Sequence, residues 1–181
     1  MNGDGNYRRF LNGDMNAFDE IIKEYRDGLT YFIMRYTCDE SIAEDIAIDV
    51  FCEILTHPKR YKFACSLKTY IYTIGRSRAI DWVRRKKRIK MLPLETAEEM
   101  ADDMPSLEET VLTNERRREI NKAICSLPED MQLAVHLVYF EDLSYRDTAK
   151  VLRCSEKQVD NLLYNARKKL KNIIRKEEIL L

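Results

Sequence analysis

The chain has 181 residues, with 31 Lys+Arg against 31 Asp+Glu, 34 % charged residues and 45 % hydrophobic ones. That balance fits a soluble globular protein of one or two small domains, while only five Gly and four Pro exclude collagenous, low-complexity and turn-dominated all-β designs. No apolar run approaches the ~18 residues of a membrane span, and the start Met1-Asn2-Gly3-Asp4-Gly5 lacks the basic and apolar segments of a signal peptide, so a cytoplasmic protein without membrane insertion is expected.

From Met15 to Arg88 the pattern is helical almost throughout. Phe18, Ile21, Ile22, Tyr25, Leu29, Phe32 and Ile33 recur at three and four, as one buried helix face requires. A second helix opens after Cys38-Asp39 and runs to about Leu55, with Ile42, Ala43, Ile46, Ala47, Val50, Phe51 and Ile54 as its core stripe. Thr56-His57-Pro58 ends it, because Pro lacks an N–H and disfavours a helical residue before it. A short loop, Lys59, Arg60, Tyr61, Lys62 and Phe63, follows. Ser66 then has the chemistry to cap a third helix through Tyr70, Ile71, Ile74, Ile80 and Val83 to about Lys90.

The composition changes after Lys90. Residues 91–112 carry Glu95, Glu98, Glu99, Asp102, Asp103, Glu108 and Glu109, two prolines and no base, which reads as an acidic, partly extended linker. Helical patterning resumes near Asn114. The expected fold class is all-α: a helical domain over 1–90, the linker, and a second helical domain over 113–181. In the latter, Pro128 begins a helix with Met131, Val135, Leu137 and Val138 on its apolar side, stopping at Phe140-Glu-Asp-Leu143. Ser144 can cap a short helix, Tyr145 to Leu152, and Ser155 a second one with Val159, Leu162, Leu163, Ala166 and Leu170 inward. Two helices across a tight turn, with the small Ala149 in the first, make a helix-turn-helix.

Catalytic chemistry finds no foothold. The five cysteines (Cys38, Cys52, Cys65, Cys125, Cys154) form no C-x-x-C, and His57 and His136 stand in no metal-ligand spacing. Buried or half-buried free thiols in a reducing compartment are the expectation, with no metal and no cofactor. His136, in the apolar run Leu133 to Tyr139, is expected to be a core histidine. There is no G-x-S-x-G, no Gly-rich phosphate loop and no Cys with a His partner; neither an enzyme nor a small-molecule substrate is expected.

Charge placement is more informative. Asp45, Asp49 and Glu53 lie at i, i+4 and i+8 on the second helix, beside Glu44. Like charges at that spacing cost a few tenths of a kcal/mol each, which a basic partner would offset; a merely solvated face is the plainer alternative. On the third helix Arg76, Arg78, Arg84, Arg85, Lys86, Lys87, Arg88 and Lys90 face the single acid Asp81, with Tyr70, Tyr72 and Trp82 interleaved. Bases with aromatics suit nucleic acid, although some of these rings can equally be core. In the last helix Ser155, Glu156, Lys157, Gln158, Asp160 and Asn161 stand at the end that enters a major groove. Arg167, Lys168, Lys169, Lys171, Arg175 and Lys176 follow at positions suited to phosphates.

These residues together resemble a known family. Ala43-Glu44-Asp45-Ile46-Ala47-Ile48-Asp49-Val50-Phe51 resembles the core-polymerase-binding helix of bacterial sigma factors. Ser66 to Arg76 and Asp81 to Arg85 resemble their promoter-melting helix, which reads the minus-ten element. Leu127-Pro128, Ser144-Tyr145, Ala149, Ser155 and Ala166 to Leu170 resemble the domain that reads the minus-thirty-five element. The size and direct tether are similar to the extracytoplasmic-function group. The chain departs from the family at Ile48-Asp49, where Gln-Glu is usual, at Ser77 for Asn, at Arg153 for Gly, and at Asp160 and Leu162 for Lys and Arg.

The resemblance implies core RNA polymerase and promoter DNA as partners, and an anti-sigma protein as a third. Glu44, Asp45, Asp49 and Glu53 would dock on the polymerase. Lys59 to Phe63, with Arg76, Ser77, Arg78, Arg84 and Arg85, would hold and open minus-ten DNA. Ser155, Glu156, Lys157, Gln158, Asp160 and Asn161, with Arg167 and Lys168, would read the upstream duplex. A dimeric helix-turn-helix regulator acting on an operator, without polymerase, is the rival reading, and a helical protein-interaction adaptor is a third.

Overall fold

The computed structural model describes residues 3–90 and 114–178, and every regular element among them is helical. The chain divides into two compact units, Met1–Met104 and Pro105–Leu181. The acidic segment 91–112 lies outside the described residues.

The first unit has one helix more than the apolar periodicity suggests. α1 (Gly3–Leu11) buries Tyr7 and Phe10 and joins α2 (Met15–Thr37) through a turn at Gly13, whose φ of 96° suits glycine. Asp14 caps α2 by accepting from Asn16 N at 3.1 Å. At the other end Cys38 adopts the left-handed conformation, and its N–H reaches Met34 O at 2.9 Å. α3 (Glu40–Thr56) starts on an Asp39 cap to Ile42 N, 3.1 Å, and stops before Pro58. α4 (Leu67–Lys90) starts at Ser66, whose Oγ accepts from Thr69 N at 3.2 Å as its chemistry suggests.

Leu29, Phe32 and Ile33 of α2, Val50 and Ile54 of α3, and Ile71 and Tyr72 of α4 meet in a fully buried core. Burying each such side chain stabilises the unit by about 1.5–3 kcal/mol before entropy is charged. At Gly75 α4 lies close against α2: a Cβ there would lie 2.7 Å from Leu29 Cδ1.

The second unit holds α5 (Asn114–Cys125), α6 (Glu129–Val135), α7 (Tyr145–Leu152) and α8 (Glu156–Glu178). The helix expected from Pro128 to Phe140 is not uniform, because after Val135 it widens into a π-helical turn, His136–Phe140. His136 is buried there with Nε2 3.6 Å from Glu141 Oε1, the core histidine expected. Ile124, Leu127, Ala134, Val135, Ala149, Val159, Leu163 and Ala166 form the core of this unit. No disulfide joins cysteines among the described residues, and Cys38, Cys52 and Cys125 are exposed rather than buried or half-buried.

Candidate docking face and nucleic-acid interfaces

The stripe Ala43, Ile46, Ala47, Val50 and Ile54 turns one side of α3 inward, which leaves Glu44, Asp45, Ile48 and Asp49 exposed on the other. Ile48 is 57 % exposed, an apolar residue set among carboxylates. Glu53 does not share this exposure. Its two oxygens are taken by Arg78 Nη2 at 2.6 Å and Arg60 Nη1 at 2.8 Å, while Arg78 Nη1 also reaches Asp49 at 3.2 Å. The Arg78 hydrogen bond, with Arg60 assisting, outweighs burial and holds the Glu53 carboxyl below its usual range. Two acids expected on the docking face and two bases expected on DNA therefore form one internal ionic cluster. Glu53 is thus half-buried and paired within the chain, and Arg78 is paired with it. The like-charge cost along α3 is offset in part within the chain itself.

The α3–α4 connection begins with a 3-10 turn, Pro58–Arg60. Lys59 and Lys62 are exposed there, and an open groove of about 520 Å³ runs between Thr56, His57, Pro58, Lys59, Arg60 and Lys62. Tyr61 points the other way. It is only 4 % exposed, so it is a core residue rather than an open ring for a base. Its hydroxyl lies 2.7 Å from Asp4 Oδ1 and 2.6 Å from Cys65 O, its one proton shared between them. Burial, then the Asp4 carboxylate, pushes its pKa far up. Phe63, half-buried at a φ of 56°, has the Arg8 guanidinium 4.7 Å above its ring.

On α4, Arg76, Ser77 and Arg78 are half-buried, whereas Arg84, Arg85, Lys86, Lys87 and Arg88 are exposed. Of the interleaved aromatics, Tyr72 is fully buried and belongs to the core. Tyr70 is half-buried against Tyr61, with ring centroids 5.0 Å apart. Trp82 is half-buried with Lys86 Nζ 4.8 Å from its ring.

The helix-turn-helix is set by two caps and a left-handed turn. Ser144 Oγ accepts from Asp147 N at 3.1 Å and donates to the Asp147 carboxylate at 2.7 Å. Burial opposes ionisation of Asp147, but the Ser144 and Lys150 hydrogen bonds win and hold its pKa low. Arg153 takes φ 54° and ψ 47° at the turn. Ser155 Oγ accepts from Gln158 N at 3.2 Å, and Gln158 Oε1 accepts from Ser155 N at 2.7 Å, a reciprocal capping box. Gln158 thus spends its carbonyl on the helix start, leaving its amide N–H group to face outward. Ser155, Glu156, Lys157, Asp160, Asn161, Arg167 and Lys168 are exposed.

Sequence reasoning missed Tyr164, which is 62 % exposed. The signal was present: Tyr164 lies seven residues after Lys157 and three after Asn161, off the Val159-Leu163-Ala166 stripe. It therefore shares the outward face with both.

Comparison with known proteins supplies the rest. Residues 21–89 match the model for Sigma-70 region 2, and residues 117–170 match that for Sigma-70 region 4; together these span more than half of the chain. The chain is 28 % identical over 167 residues to the RNA polymerase sigma-H factor of Pseudomonas aeruginosa, covering 88 % of this chain and 86 % of that protein. It is 26 % identical over 159 residues to the ECF RNA polymerase sigma factor SigX of Bacillus subtilis, covering 86 % and 82 %. In fold it is similar to the sigma factor RpoE in its complex with the anti-sigma factor NepR from Bartonella quintana. There the TM-score is 0.67 at 19 % identity, covering 87 % of this chain and 96 % of that one. It is also similar in fold to CnrH in complex with the cytosolic domain of CnrY, with TM-score 0.62, 16 % identity and coverage of 94 % and 95 %. With both regions present in order and relatives matched along most of their length, the chain belongs to the RNA polymerase sigma factors, in their extracytoplasmic-function group.

Proposed function

We propose that this sigma factor distributes promoter recognition over three separate surfaces, and that the polymerase, not the sigma factor, performs the chemistry. The exposed acids Glu44, Asp45 and Asp49, with Ile48 among them, dock α3 on a basic, partly apolar surface of core RNA polymerase. The groove beside Lys59 and Lys62, continued by the exposed bases of α4, takes the non-template strand of the minus-ten element. Extruding a base costs a few kcal/mol, which a fitting pocket offsets, so base choice becomes melting specificity. The outward face of α8, with Lys157, the Gln158 amide N–H group, Asp160, Asn161 and Tyr164, enters the major groove of the minus-thirty-five duplex. Arg167 and Lys168 lie farther along on phosphates.

The linker 91–112 threads toward the polymerase active-site channel, its acids standing in for nucleic acid. The work takes place on chromosomal DNA in the cytoplasm. The fold neighbours are named as complexes with anti-sigma factors, which supports a protein inhibitor as a further partner here.

The observation that carries this reading is the separation of charge. α3 presents exposed acids, α4 an uninterrupted exposed run from Arg84 to Arg88, and α8 a capped N-terminus followed by Arg167, Lys168 and Lys169. The test is promoter-directed transcription by purified core polymerase with and without the protein. Asp45→Lys with Asp49→Lys is expected to abolish core binding while the helical circular-dichroism spectrum is kept. Unchanged co-purification with core would refute the docking face, and no stimulation on any promoter pool would refute the assignment as a whole.

A further inference from the structure

α1 lies outside the residues matched to region 2, which begin at residue 21, yet it touches the α3–α4 connection at both ends and in the middle. Tyr7 donates its hydroxyl to Pro58 O at 2.7 Å, at the first residue of the connection. Its ring meets the Tyr61 ring edge-on at 5.0 Å and the Phe63 ring at 6.0 Å, and Arg8 covers Phe63. Asp4 Oδ1 accepts from the Tyr61 hydroxyl at 2.7 Å and from Leu67 N at 2.8 Å. The second of these bonds satisfies a free N–H in the first turn of α4 and sets a carboxylate at that helix's positive end.

α1 is itself held elsewhere. Phe10 packs on Phe18 at 4.8 Å, and Arg9 binds Asp14 at 2.7 Å and Glu20 at 3.1 Å. Gly3 fits so closely against Tyr25 that a Cβ there would overlap the Tyr25 hydroxyl. One side of α1 is thus fixed to α2, and the other grips a stretch that forms no helix or strand between Tyr61 and Ser66. The polar contacts are not needed for core burial, since Tyr7 and Phe10 would supply that without Asp4 or the Tyr7 hydroxyl.

We propose that α1 is a positioning element for the minus-ten loop. Asp4 and Tyr7 fix the backbone from Pro58 to Leu67, so that Lys59, Lys62 and the groove between them are in place before the strand arrives. The inference rests on the reading of that loop as a DNA contact. A loop ordered in advance does not spend binding energy on its own ordering, and base discrimination needs a pocket of fixed shape. Asp4 and Tyr7 act through the loop and touch no DNA themselves.

The test uses holoenzyme reconstituted from the full chain and core polymerase, with a randomised single-stranded DNA pool as probe. Base enrichment is read by sequencing, and the affinity of the enriched strand is then measured. Asp4→Ala and Tyr7→Phe are expected to weaken strand binding by about tenfold and to flatten the enrichment profile, with core affinity held within about twofold. Asp4→Asn, which still offers Oδ1 to Leu67 N and to the Tyr61 hydroxyl, is expected to restore the profile.

An unchanged profile in Asp4→Ala overturns the proposal. So does a failure of Asp4→Asn to rescue, or a loss of core affinity parallel to the loss of strand binding. Lys59→Ala with Lys62→Ala separates the two readings. If that variant loses the strand while Asp4→Ala keeps it, only the positioning role fails. If it keeps the strand, the loop reading fails and the positioning role falls with it.

Discussion

The cluster of Glu53, Arg60 and Arg78 makes a sharp prediction, because the sequence assigns these three residues to two different partners. Glu53→Gln keeps the side-chain size and removes the charge. In the native protein the carboxylate accepts Arg78 at 2.6 Å and Arg60 at 2.8 Å. Charge-assisted bonds of this kind are worth about 1.5–3 kcal/mol when desolvated. The arginine side chains, however, are 35 % and 57 % exposed, and exposed ion pairs are worth about 0.2–1 kcal/mol. Gln also retains one oxygen to accept a bond, and the repulsion from Asp49 falls by a few tenths of a kcal/mol. The net loss is therefore about 1 kcal/mol, or about 4–8 °C in Tm for a unit of this size.

Urea unfolding followed by tryptophan fluorescence is the assay. Trp82, on α4, is the chain's single tryptophan and reports on the first unit alone. The Glu53 pKa is depressed below 4.5, so its contribution is complete above pH 4.5 and vanishes as the pH falls through the lower native value. Native and variant curves must converge at acid pH. Core affinity should stay within about threefold, since losing one screened surface charge is a small effect. If stability at pH 7 is unchanged while core binding collapses, Glu53 faces the polymerase and the internal cluster is not what holds it.

Three other substitutions probe the framework. Arg153→Gly removes a side chain from a left-handed position, φ 54° and ψ 47°, and should stabilise the second unit by about 1 kcal/mol, read as a higher Tm. Ser144→Ala removes the cap to Asp147 N and should cost about 1 kcal/mol; NMR titration should also show the Asp147 pKa rising as one of its two hydrogen bonds is lost. Gly75→Leu forces a side chain against Leu29 and Ile33 and should cost about 1–3 kcal/mol, measured by the same tryptophan-detected unfolding.

What was legible in the sequence was whatever one helix determines by itself. The stripes of α2, α3 and α8 have the helical period, and Ser66, Ser144 and Ser155 sit where a free N–H must be satisfied, so all three cap as their chemistry suggests. α1 was not legible. Gly3 and Gly5 lower its propensity, and two aromatics in nine residues make too short a stripe to show a period. The fate of Tyr61 follows from that omission, since its ring and hydroxyl are buried by Tyr7 and Asp4, more than fifty residues away in sequence. The pairing of Arg78 was hidden for a similar reason. A run of bases looks solvated until the neighbouring helix is known to place Asp49 and Glu53 against it.

The formal charge of zero changes meaning on this account. Part of it is cancellation inside the first unit, where Arg60 and Arg78 neutralise Glu53 and ease Asp49. Other charges stay exposed, among them Glu44 and Asp45 on α3 and Arg84 to Arg88 on α4. Free charges act over about 8 Å at physiological salt, so each exposed patch acts on a partner only at close range. The paired residues act locally instead. Arg60 ties the groove beside Lys59 to α3 from one side, while Asp4 and Tyr7 tie the same loop to α1 from the other. The loop proposed to meet DNA is thus braced by α1 on one side and α3 on the other, and one of its two braces is an acid that the sequence alone assigns to the polymerase.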